Sequence, residues 1–247
     1  MAHVKQKGKT FPISLIAFFL FFSLIILSFS FLGRKSEAYF AQEQQAVFSE
    51  SAPLTVIIDA GHGGEDGGAV GIDGSAEKNI NLEIAISLEN ILSSCGIDTV
   101  LTRSEDVLLY DKSSDYEGHK KQQDLETRKR IAEKYENAIF ISIHMNSFSD
   151  SKYRGLQVYY SPNNDLSSAL ADNIQRITRE NIMRYNNRKI KKADSSIFLL
   201  DELSCPAVLI ECGFLSNSED CALLSSPEYR KRLSLCIAIA VMEFITD

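Results

Sequence analysis

The sequence predicts an α/β domain on a mostly parallel sheet with helices on both faces, preceded by an N-terminal transmembrane or signal helix. Three observations carry this reading. Short β-branched apolar runs alternate with stretches whose apolar residues recur at helical spacing. Three of those runs end in a polar turn that carries His or Glu, and the first forty residues differ from everything that follows. The 247 residues are 45% hydrophobic and 24% charged, which is enough apolar material for one large core without disulfides. The net charge of −7 argues against nucleic acid as a partner, because phosphate binding needs a basic field.

Lys5, Lys7 and Lys9 precede an uncharged apolar stretch, residues 11–32, long enough to cross a bilayer as a helix. Lysines on the inner side send the remainder out of the cytoplasm. Residues 1–38 therefore read as a basic start plus signal peptide or membrane anchor. Ser36-Glu37-Ala38 leaves cleavage open. Residues 39–53, rich in Gln, read as a linker, and residues 54–247 as the folded domain. Leu54 to Ile58 is the first strand, closed at Asp59 by a Gly-rich loop, 61–74. Ser75 is placed to cap a helix whose apolar face is Ile80, Ile84, Leu88 and Ile91, ended by Gly96. Ile97 to Leu101 is a second strand, 104–124 a long loop, and Leu125 to Tyr135 a charged helix. Ala138 to Ile143 and Leu156 to Tyr160 are strands three and four. Leu166, Leu170, Ile174 and Ile177 mark a long helix, and Ile197 to Leu200 a short apolar segment. Ala207 to Ile210 is a further strand. Tyr229, Leu233, Cys236, Ala240 and Phe244 line a C-terminal helix. No repeat appears. The five cysteines form no CxxC pair and read as buried free thiols.

Chemistry gathers at strand ends. His62 follows the first strand, His144 and Asn146 the third, and Glu211 the last. That edge is where open α/β sheets bind ligands. Glu77 opens the first helix, where the Gly-rich loop can fold it back over the same edge. His62, Glu77 and His144 make a two-histidine, one-carboxylate set. Catalytic zinc commonly takes three such ligands and keeps a position for water. Glu211 is left free of the metal as a general acid/base. Each residue alone has a plainer reading: a loop-stabilising His, a Glu at a helix N-terminus, or a Glu211 paired with Arg103 or Arg128. Convergence favours the metal. Asp59 is a candidate to orient an imidazole, and Asn146 to touch substrate. His3 and His119 read as solvated. The Gly-rich loop does not fit G-x-G-x-x-G, because Asp66 occupies the last required place, and no P-loop Lys follows.

Five stretches, IIDAGHGGEDGGAVG (57–71), EKNINLEIA (77–85), LTR (101–103), ISIHMNS (141–147) and VLIECGFLSN (208–217), resemble the zinc-dependent N-acetylmuramoyl-L-alanine amidases of the Amidase_3 type. The resemblance covers residues 54–245. It implies a six-stranded α/β domain and one zinc ion held by His62, Glu77 and His144. It also implies Glu211 as catalytic acid/base and peptidoglycan as substrate, cut between muramic acid and L-alanine. Ala60 stands where the family usually has Pro, and Cys212 where Val is commoner; neither is a ligand. The compact form is most similar to the spore-cortex, germination-specific subgroup, in which muramic δ-lactam forms and some members work with a lipoprotein partner. Two other readings stay open at this point: a zinc peptidase acting within the stem peptide, and a non-catalytic, membrane-anchored wall regulator.

Overall fold

The computed structural model describes residues 53–110 and 119–246. The expected anchor, nearly all of the linker and part of the 104–124 loop lie outside the described residues. Among the described residues no helix is long and apolar enough to cross a membrane.

Six strands form one sheet: β1 (Thr55–Ala60), β2 (Asp98–Leu101), β3 (Ala138–Asn146), β4 (Gln157–Tyr160), β5 (Lys191–Lys192) and β6 (Ala207–Phe214). The helices are α1 (Glu77–Ser94), α2 (Lys120–Ala132), α3 (Leu166–Asn181), α4 (Phe198–Glu202), α5 (Ser218–Ser225) and α6 (Pro227–Thr246). The strand order is β2-β1-β3-β6-β4-β5. Neighbours run parallel except β4 and β6, which are antiparallel, so the sheet is mixed rather than wholly parallel. Loop length accounts for the exception. A parallel return needs a crossover of a dozen or more residues, usually a helix. Only residues 147–156 join β3 to β4, and none of them is helical. The chain therefore turns over the carboxyl edge and runs back down.

Alternation along the strands builds two cores. Val56, Ile58, Ile141, Ile143, Val208 and Ile210 pack with α1, α3, α5 and α6. Ile57, Phe140 and Ala207 face the opposite way, against α2 and α4. Helices thus cover both faces, as expected.

Several boundaries differ from the sequence reading. Helix α2 starts at Lys120, five residues earlier, because Asp124 is held by the Leu109 amide and by Arg128 rather than by apolar periodicity. Strands β3 and β6 run on past His144 and Glu211, so both residues sit within strands rather than beyond their ends. Ser75 does not cap α1. Its amide and hydroxyl bond to Asp73, and the first α1 amides, Glu77 and Lys78, donate to the carbonyls of Ala69 and Gly67. All five cysteines are free. Three are buried, Cys205 is half-buried and Cys95 is exposed.

Candidate metal centre

The register sets a row of polar side chains with a polar pair beneath it. Asp59 pairs with Ser142 across β1 and β3, His144 with Glu211 across β3 and β6, and Gln157 with Glu211 across β4 and β6. By strand parity all of them project from the α2 and α4 face, near the carboxyl edge. Those helices cover that face only lower down, around Phe140 and Ala207.

His62 reaches the row from the loop. It adopts φ +62, a left-handed conformation uncommon for a residue with a side chain, which the surrounding turn must hold in place. Arg128 and Arg103 hold this turn. Arg128 donates to Asp59 at 2.6 Å and to the carbonyls of Ala60 and His62 at 2.8 Å. Arg103 donates to the carbonyls of Ala60, Gly61 and Lys78, which also fixes the start of α1. Two glycines allow the approach. A Cβ on Gly61 would lie 2.2 Å from His144 Nε2. One on Gly68, at φ +66, would lie 2.5 Å from Glu77 Oε2 and 2.8 Å from the His62 ring.

His62, Glu77 and His144 thereby place one ligand atom each within 4.8 Å of one another, a group that can hold a metal ion. Glu77 Oε1 lies 3.2 Å from His62 Nε2 and 3.1 Å from His144 Nδ1. It also accepts from the Met145 amide at 3.0 Å, while Oε2 accepts from the Ala69 amide at 2.8 Å. Burial alone would push the Glu77 carboxyl up. The hydrogen bonds and charges of His144 and His62 override this and hold it well below the usual carboxylate range. His62 is raised above the ordinary histidine value. Its burial opposes the shift, and Glu77 and Asp66 outweigh it. Two imidazoles and a carboxylate suit a borderline ion such as zinc.

The carboxylate nearest the His62 ring is that of Asp66, 2.9 Å from Nδ1, the place from which an acid could orient the imidazole. Asp59 does not take that role. It lies under the row, bound to Arg128, Thr102 and Ser142. An acidic residue four places after a histidine in a Gly-rich turn is the sequence signal for Asp66. Asn81, buried on α1, was also missed. It donates to the Gly61 carbonyl and lies 3.4 Å from Glu77 Oε1.

Glu211 stands beside His144 with a different environment. Neither Arg103 nor Arg128 pairs with it. Its Oε2 is buried and has no hydrogen-bond partner among the described residues. Burial pushes its carboxyl up to about 6, with Glu77 adding to the shift and His144, His62 and Arg188 opposing it. Asn146 ends β3 just past a register shift, and its carbonyl accepts from the Leu215 amide. His119 is exposed, as expected.

Residues 56–243 match the Amidase_3 family, described as N-acetylmuramoyl-L-alanine amidase. The chain belongs to this family. It is a hydrolase, and peptidoglycan is the substrate that the family implies. The germination-specific N-acetylmuramoyl-L-alanine amidase of Bacillus subtilis is 32% identical over 200 residues, 80% of this chain and 83% of that protein. The CwlD amidase of Clostridioides difficile, solved in complex with the GerS lipoprotein, is 37% identical. It superposes with a TM-score of 0.73 over 78% of this chain and 98% of that one. The amidase AmiC2 of Nostoc punctiforme is 33% identical, with a TM-score of 0.68 over 80% and 99%.

Proposed function

We propose that the chain is a zinc-dependent amidase of the spore cortex, which removes stem peptides from muramic acid so that muramic δ-lactam can form. One observation carries the chemistry: three ligand atoms converge beside a buried carboxylate that has no partner. His62, Glu77 and His144 hold the ion, with Asp66 fixing the His62 ring. Zinc supplies Lewis acidity toward an amide carbonyl and a water. Glu211 takes the proton of the attacking water and gives it to the departing L-alanine nitrogen. Asn146, at the end of the same strand as His144, contacts substrate. Support for the cortex role comes from the similarity to the germination-specific amidase.

The apolar stretch 11–32 anchors or exports the chain, which works outside the cytoplasm. A lipoprotein is its candidate partner, by similarity to the amidase solved with one. Purified protein should bind one zinc per chain. It should release stem peptides that begin with L-alanine from peptidoglycan, as read by mass spectrometry. Glycan that still carries L-alanine would point instead to a peptidase. Spores made without this chain should lack muramic δ-lactam.

A further inference from the structure

Beyond the metal and Glu211, the row across the sheet continues. Gln157 sits in register with Glu211, on the neighbouring antiparallel strand. Because β4 runs opposite to β6, the start of β4 and the residues just before β5 lie at the same edge as Glu211. Arg188 stands there. Its terminal nitrogen donates to Gln157 Oε1 at 2.8 Å, and its guanidinium lies 4.8 Å from the centre of the Phe214 ring, at the end of the strand that carries Glu211. Its positive charge acts on the Glu211 carboxyl. Among the described residues no carboxylate lies within ion-pair distance of Arg188, although seven of the fifteen ion pairs found there occupy an arginine. Its Nε is buried and has no hydrogen-bond partner. The surrounding stretch, Arg184 to Lys192, holds five cations and no acid. A cation seated on an aromatic ring, steered by one amide and left with an unused donor, is prepared for an anion that arrives from outside.

We infer that Arg188 binds the first free carboxylate of the stem peptide, the α-carboxylate of a D-glutamate joined through its side-chain carboxyl to the rest of the stem. This rests on the amidase reading above. The lengths agree. That carboxylate belongs to the residue after L-alanine and lies within about 7 Å of the departing nitrogen. Arg188 lies one to two strand spacings, about 5–10 Å, along the row from Glu211. A substrate whose leaving nitrogen touches Glu211 then brings its first negative charge to the guanidinium. Carboxylates further along the stem share the same chemistry but lie too far out to meet both groups at once.

The test uses the full-length enzyme and two peptidoglycans that differ only at the second stem residue, D-isoglutamate or its amide, D-isoglutamine. Release of L-alanine amino termini gives kcat/KM. The wild type should prefer the free acid by about 10- to 100-fold, the usual worth of a charge-assisted pair. Arg188→Gln should lower the rate on the acid polymer by a similar factor and bring the ratio toward one, while Arg188→Lys should restore part of it. A merely structural role, holding Gln157 in place, would lower both rates together and leave the ratio intact. An unchanged ratio in Arg188→Gln, or a wild type without preference, overturns the inference while wall cleavage still upholds the amidase. Cleavage of neither polymer would sink the amidase reading and this inference with it.

Discussion

Glu77 and Glu211 come to one edge of the sheet from a helix and a strand, and their surroundings are opposites. Glu77 is met by two imidazoles and two backbone amides, and its carboxyl is held low. Glu211 is the register partner of His144 across β3 and β6, yet its buried oxygen meets no donor and its carboxyl is pushed up to about 6. A carboxylate surrounded by donors stays ionised and fixed, which suits a ligand. One buried without a partner exchanges a proton easily, which suits an acid/base. The same residue type is divided into two roles by its neighbours alone.

Removing either acid should therefore fail in a different way. Glu77→Ala gives the largest effect. Metal content should fall to background, together with wall hydrolysis, and atomic absorption on folded protein checks it. Glu211→Gln should keep one metal per chain and lose about 10²- to 10⁴-fold in kcat, the usual range for a general acid/base. Should both variants lose metal alike, or should Glu211→Gln remain fully active, the contrast between the two acids disappears.

The parts legible in the sequence share one property: their signal is local. The core strands and helices announce themselves by periodicity, and His62, His144 and Glu211 by glycines or polar residues at strand ends. Apart from Asp66, what was missed depends on partners distant in sequence. Strand β5 is two lysines, paired only through Tyr159 and Tyr160. Helix α2 begins among polar residues because Asp124 finds Arg128 and the Leu109 amide. The direction of β4 follows from the length of a loop, not its composition. Asp59 stands three residues before His62 and looked able to reach its ring. Strand geometry turns it into the sheet, against Ser142 and Arg128, and leaves Asp66 at the imidazole.

Asp59 sharpens the comparison as a third buried acid, satisfied like Glu77 but with no substrate in reach. Asp59→Asn leaves the Arg128 charge short of a partner and should cost about 3–5 kcal/mol in urea unfolding. Burial alone would raise the Asp59 carboxyl, but the Arg128 charge and the bonds from Ser142, Arg128 and Thr102 hold it below its ordinary value. With the folded pKa depressed, the stabilisation is complete above the unfolded value of about 3.9 and is lost as pH falls through the folded pKa. Wild-type stability should drop below about pH 4, and Asp59→Asn should flatten that part of the profile. An equally steep acid limb in the variant would remove Asp59 from the account.

The smallest effect tests what holds Glu211 in position, given that its own buried oxygen takes no bond. The strand end beyond it is tied by Asp220, whose carboxylate accepts from the amides of Phe214 and Gly155. Asp220 lies in the first turn of α5, and Asn217 caps that helix by accepting from the amides of Glu219 and Asp220. Asn217→Ala should therefore cost about 1 kcal/mol of stability, as cap losses commonly do. If Glu211 depends on its strand for position, kcat should fall several-fold with metal content unchanged. A stability loss with full kcat would show that β6 holds the acid without help from the helix that follows it.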